Sequence, residues 1–215
     1  NIRHSLFDVE QVEVLRGPSA ILYGKGDPGG IVNLVSKMPT AETYAEATFR
    51  AKSYFNGDSN GYRNMGGIYD NQYIALDVGG QLTDTLGYRF NAVNDSSDGW
   101  RDFVGYQYRD ISGVLQWNLT ESQRLTIQGS IYDQVDTQDR GLVAFNGVFP
   151  DVPRDTFYGA RWNRNKTDFQ RAAAIWDWHL SDGLAVKNTI NLELCDTDHT
   201  SLRVQDKGIG GPLHA

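Results

Sequence analysis

From Ala45 onward, apolar and polar residues alternate with a period of two in one segment after another. That is the pattern of strands with one apolar and one polar face. Ala45, Ala47, Phe49 and Ala51 share a face against Glu46, Thr48, Arg50 and Lys52. Ile74, Leu76 and Val78 then oppose Ala75, Asp77 and Gly79, and Tyr88, Phe90 and Ala92 oppose Arg89 and Asn91. Ile111, Gly113, Leu115, Trp117 and Leu119 oppose Asp110, Ser112, Gln116 and Asn118. Leu125, Ile127, Gly129 and Ile131 oppose Thr126, Gln128, Ser130 and Gln134. Ala172, Ala174, Trp176 and Trp178 oppose Arg171, Asp177 and His179, and Val186, Ile190, Leu192 and Leu194 oppose Lys187, Thr189, Asn191 and Glu193. About seven strands of roughly ten residues are predicted, the length a tilted membrane strand requires.

The connections sort by length. Leu82-Thr83-Asp84-Thr85-Leu86, Leu119-Thr120-Glu121-Ser122-Gln123 and Leu180-Ser181-Asp182-Gly183-Leu184 are short and alike, while long polar loops are predicted over 56–72, 95–109 and 135–167. Short turns at one end and long loops at the other are the plan of an all-β transmembrane barrel built as an antiparallel meander. A soluble β-sandwich shares the alternation, but nothing in it sorts its loops this way. Tyr88, Trp117, Trp176 and Trp178 lie on the apolar face near the short turns, where an aromatic girdle at the lipid interface belongs. The other reading is that they are core aromatics of a sandwich.

Composition narrows the classes further. The chain is 40% hydrophobic with a mean hydropathy of −0.48, and no run approaches the ~20 apolar residues of a spanning helix. A net charge of −7 argues against nucleic acid, whose phosphates call for clustered Lys and Arg. Cys195 has no cysteine to pair with and reads as a packed residue. Asn1 opens neither with Met nor with a leader, so the chain reads as an internal fragment.

Residues 1–40 read differently. Val9-Glu10-Gln11-Val12-Glu13-Val14-Leu15 is β-rich and stops at Arg16-Gly17-Pro18. A helical turn is predicted for Ser19–Tyr23, then a glycine loop over 24–30 and a strand over Ile31–Ser36, closed by Met38-Pro39. Gly24, Gly26 and Gly29 match G-x-G-x-x-G in letters, but a dinucleotide site needs a strand before and a helix after. Gly24-Lys25 lacks the first Gly and the Ser/Thr of a phosphate loop.

Val12-Glu13-Val14-Leu15-Arg16-Gly17-Pro18, Leu22-Tyr23-Gly24 and the run from Pro28-Gly29-Gly30 through Ile31-Val32-Asn33-Leu34-Val35-Ser36-Lys37 closely resemble the plug terminus of TonB-dependent siderophore receptors. Pro153–Gly159 with Trp162-Asn163 resembles a long extracellular loop of the same family. Family members often carry Glu-Arg where Glu10-Gln11 stand, and Asp near His4-Ser5. The resemblance implies residues 1–38 as the C-terminal part of a mixed α+β plug and 39–215 as the first strands of a barrel of about 22. It further implies uptake of a ferric siderophore across the bacterial outer membrane, with hydroxamate or mixed types slightly preferred. TonB would act through a box outside this chain, and lipid and lipopolysaccharide would surround the barrel. Cobalamin, haem or glycan cargo, a non-energised channel and, last, a soluble sandwich stay open as alternatives.

Iron is expected only as the chelate, with no cofactor held by protein ligands and no catalytic residue. His4, His179, His199 and His214 lack metal-ligand spacing, and Asp133, Asp136 and Asp139 lack the glycine and terminal Glu of a calcium loop. The resemblance gives Arg16 the role of locking plug to barrel, against the plainer reading of a solvated strand end. Trp100, Tyr106, Tyr108, Phe145, Phe149, Phe157, Tyr158 and Trp162 are the ligand-binding candidates, because loop aromatics stack on amphipathic chelates. The alternative is that they pack the loops on one another.

Overall fold

The computed structural model describes residues 6–17, 30–53, 71–99, 101–139, 141–142, 144, 147–153 and 156–200. The turn predicted for Ser19–Tyr23, most of the glycine loop, Trp100 and Phe145 lie outside them. Nine strands are described: β1 (Val9–Arg16), β2 (Gly30–Ser36), β3 (Tyr44–Lys52), β4 (Asn71–Thr83), β5 (Leu86–Asp98), β6 (Gly105–Thr120), β7 (Gln123–Thr137), β8 (Arg164–Ser181) and β9 (Leu184–Thr200). β1 and β2 form an antiparallel pair, and β3 to β9 form one sheet in sequence order. The seven alternating segments are thus the seven strands of one antiparallel meander.

The three short turns share a bulge, and two of them a hydroxyl cap. Thr83 Oγ1 accepts the amides of Thr85 (3.3 Å) and Leu86 (3.1 Å), and Thr120 Oγ1 accepts that of Ser122 (3.3 Å). This local side-chain bonding is what Ser, Thr and Asp supply in turns. Each turn carries a register shift on its incoming strand, at Gln81/Thr83, Asn118/Thr120 and His179/Ser181. The repeated sequence is therefore a repeated bulged turn.

At the other end the strands outrun the prediction. β5 continues to Asp98 and β6 starts at Gly105, so the loop predicted over 95–109 shrinks to 99–104, and that over 135–167 shrinks to 138–163. β8 has 18 residues, not roughly ten. The apolar alternation stops where lipid stops, whereas the backbone ladder continues into water.

Burial is inverted relative to a soluble sheet. Asp77, Asn91, Asp110, Ser112, Thr126 and Gln134 are buried, while Ile111 (52%), Ile127 (50%), Ile131 (61%) and Leu192 (67%) stand exposed on the opposite face. A sandwich would cover those aliphatics with a second sheet. Here they form an uncovered apolar face of the kind that lipid fills. The only buried hydrophobic cluster among the described residues, Ala75, Val93, Tyr108 and Tyr132, lies on the polar face with Phe7 packed against it.

Register aligns the open face. Tyr88, Leu115, Ile127, Ala174 and Ile190 stand in one lateral row, and Leu86, Trp117, Leu125 and Trp176 in the next row toward the short turns. Trp176 and Trp178 stack, with ring centroids 5.4 Å apart. From Ile111 to Leu119 the apolar face runs about 27 Å along β6, or about 21 Å of height at a tilt near 40°. No helix among the described residues is long and apolar enough to cross a membrane.

Candidate functional site: the junction between the strand pair and the sheet

The densest charged network lies where the chain leaves β2 and enters the sheet. Asp77, on β4, is 3% exposed. Its Oδ1 accepts from Arg89 Nε (2.9 Å) and the Tyr44 hydroxyl (2.9 Å), and its Oδ2 accepts from Arg89 Nη2 (2.7 Å) and Lys37 Nζ (2.9 Å). Two-point donation from one guanidinium to one carboxylate is the strongest form of this pair. Four donors leave no face of the carboxylate unpaired, which offsets the cost of burying it.

The exit segment is held residue by residue. Lys37 donates its amide to the Asp8 carbonyl at 2.8 Å, and its ammonium sits 4.6 Å from the Phe7 ring centre. The Met38 carbonyl accepts from Arg89 Nη1 at 3.1 Å, and the Thr40 carbonyl from Gln81 Nε2 at 3.1 Å. Pro39 lies against Gly87, where an added Cβ would come within 2.8 Å of the proline Cβ. Gly80, at φ +151°, admits Thr43, whose Oγ1 would stand 2.5 Å from a Cβ there. The glycines of β4 and β5 are thus a slot cut for the incoming chain.

Beside the junction a lateral row of polar residues crosses the same face: Asp77, Asn91, Ser112, Ser130, Arg171 and Glu193. The strand pair lies over it, and a cavity of about 360 Å³ between them is lined by Asp8, Ser36, Tyr108, Asp110, Tyr132 and Arg171. Asn91 Oδ1, Asp110 Oδ1 and Ser112 Oγ are buried without hydrogen-bond partners among the described residues. The contact between pair and sheet is polar and loosely filled, unlike a close-packed core.

The residues singled out from sequence are distributed as follows. Arg16 ends β1 opposite Gly30 and is exposed, with no ion pair to the described residues. Tyr106 and Tyr108 are not loop residues, because β6 begins at Gly105. Tyr108 is buried at 7% exposure on the polar face, its hydroxyl donating to Asp110 at 2.9 Å; Tyr106 bonds Asp95 and Asn71. Phe157 packs edge-on against Phe103 at 6.4 Å, Tyr158 is half-buried, and Phe149 (66%) and Trp162 (55%) are exposed. Arg101 pairs with Asp139 at 2.7 Å, and Arg161 covers the Phe103 ring at 4.2 Å. These contacts fasten the 99–104 loop to the 138–163 loop. Tyr88, Trp117, Trp176 and Trp178 all face the open side.

Lys37, Asp77, Arg89 and Tyr44 escaped the sequence reading as a site. Asp77 and Arg89 were visible as charges on the polar faces of neighbouring strands, but nothing in their spacing ties them to Lys37.

An apolar outer face, a polar inner face and a strand pair lodged against the latter define a plugged outer-membrane β-barrel. Residues 3–31 match the model of the TonB-dependent Receptor Plug Domain. The metal-pseudopaline receptor CntO of Pseudomonas aeruginosa is 33% identical over 153 residues, covering 70% of this chain and 20% of the relative. The ferric enterobactin receptor of the same organism is 30% identical over 158 residues, covering 61% and 20%. In fold, the chain matches the pyoverdine receptor FpvA from P. aeruginosa (TM-score 0.76, 21% identity, 92% of this chain and 28% of that one). It also matches the ferric-catecholate import receptor Fiu from E. coli (TM-score 0.73, 21% identity, 91% and 30%). Over most of its length the chain is similar to TonB-dependent siderophore receptors of the bacterial outer membrane, and its first residues match their plug domain. It spans about a fifth of the length of the curated relatives it matches.

Proposed function

We propose that the protein to which this chain belongs takes up a ferric siderophore across the outer membrane, energised through TonB. The observation that carries the reading is the plug-type segment fastened to a barrel wall at Lys37–Asp77–Arg89, since a passive channel has no need of a tethered obstruction. Relatives named as receptors for ferric enterobactin and ferripyoverdine support a ferric chelate as cargo. The metal-pseudopaline receptor adds chelates of other metals to the panel worth testing.

Within this reading residues 1–38 are plug and 39–215 barrel. The separate β1–β2 sheet and the anchored exit segment support that division. Arg16 locks the plug against carboxylates of the rest of the barrel. Tyr88, Trp117, Trp176 and Trp178 sit at the lipid interface, with lipopolysaccharide beyond the long-loop end. Phe149 and Trp162, exposed among the loops, are the strongest of the ligand candidates. Iron enters already chelated, and transport makes and breaks no covalent bond.

Deletion of the full gene, followed by iron-limited growth on a panel of siderophores, tests this. Loss of growth on one chelate, restored by the gene, identifies the cargo. Unchanged growth and uptake on every ferric chelate, with a defect on cobalamin, haem or glycan, overturns the siderophore assignment.

A further inference from the structure

The junction is asymmetric in a way that folding of the sheet does not require. Asp77, Arg89 and Tyr44 all belong to the wall and satisfy one another through three hydrogen bonds. Lys37 contributes the fourth from the other side. Were Lys37 to withdraw, the carboxylate would keep its two-point guanidinium and its phenol, and no buried charge would be left unpaired. The wall is thus a preformed receptor and Lys37 its guest. On its own side Lys37 is tied to the start of β1, through the Asp8 carbonyl and the Phe7 ring.

We propose that Lys37 is the positioning residue that holds the base of the plug to the barrel wall while the rest of the plug is displaced. The inference rests on the energised-transport reading above. A pull arriving through the plug meets Lys37 before the exit segment, and the load passes through Asp77 into β4 and through Arg89 into β5. Pro39 in its glycine slot and the bonded carbonyls of Met38 and Thr40 keep the segment beyond it from following. The polar, loosely filled contact alongside gives way more easily than the junction does.

Loss of one charge-assisted hydrogen bond in a buried setting raises the released population roughly ten- to a hundredfold. The test uses the full-length receptor in its own outer membrane as wild type, Lys37→Met and Lys37→Arg, in cells with and without TonB. The readouts are chelate affinity of the purified receptor and entry of vancomycin, a hydrophilic antibiotic too large for porins. Lys37→Met is expected to keep chelate affinity within about twofold, because the junction contains none of the exposed loop aromatics, and to raise vancomycin susceptibility about tenfold or more only when TonB is present. Lys37→Arg, which preserves the charge, restores the wild-type barrier. Susceptibility of Lys37→Met equal to that of a transporting wild type overturns the inference alone, and so does a rise of the same size without TonB. A wild type that takes up no chelate overturns the transport reading instead.

Discussion

Removing the Asp77 carboxylate is the sharpest perturbation of the wall. Asp77→Ala deletes four hydrogen bonds and leaves the Arg89 guanidinium, 9% exposed, with the Met38 carbonyl as its one remaining hydrogen-bond acceptor among the described residues and the Tyr44 ring beside it. Breaking a buried pair from one side costs about 3–5 kcal/mol, most of it the stranded charge, whereas replacing both partners with apolar residues costs far less. Asp77→Leu combined with Arg89→Met therefore retains more stability than Asp77→Ala alone, although it removes more interactions. Tyr44→Phe, which loses one neutral donor, costs about 1 kcal/mol. The assay is thermal loss of the compact, heat-modifiable form of the full-length receptor in detergent, followed for the three variants and wild type. The expected order of midpoints is wild type, Tyr44→Phe, the double variant and then Asp77→Ala. A double variant at or below Asp77→Ala would show that the pair carries no coupling and would refute the description of Asp77 as a buried ionic hub.

Other positions give independent checks. Ile127→Arg places a cation mid-height on the open face and is expected to cost about 2–4 kcal/mol, seen as a lower folded fraction in lipid vesicles; a neutral effect contradicts the lipid-facing assignment. Gly87→Val drives a side chain into Pro39 and should expose the 37–40 segment to proteolysis in the full-length receptor, while Gly183→Ala, with open space around it, should not. Expressed alone, residues 39–215 should aggregate, because the unpaired edges of β3 and β9 carry free backbone donors and acceptors. A soluble, cooperatively unfolding monomer is the contrary result.

The meander was legible because each lipid-facing strand writes its period into the chain, and because Thr83, Thr120 and Ser181 mark turns of one type. What was not legible is what water and bulges hide. Above the apolar band the outer faces of β5 and β6 turn polar, at Asn94, Ser96, Gln107 and Arg109, so Tyr106 and Tyr108 look like loop residues although they belong to a strand. Counting back from the Thr83–Leu86 pairing without the bulge would set Asp77 opposite Ala92, on the wrong face; the shift at Gln81/Thr83 sets it opposite Asn91. The junction was unreadable for the same reason, since Lys37 and Asp77 meet across 40 residues through a register no local pattern specifies. The family resemblance of the Arg16–Lys37 stretch drew attention to Arg16, whose expected partners lie in other strands, whereas the residue paired with the described wall is Lys37.

The meander has a kinetic corollary. Every strand of the large sheet pairs only with its neighbours in sequence, so contact order is low and each arriving strand finds its template already laid down. Closing a two-residue turn carries little chain entropy, but the 138–163 connection spans more than three doublings of that length, at about 0.6 kcal/mol each. Docking of β8 onto β7 is then the slow step among these strands, and the β3–β7 block is the species on which an insertion machine must wait.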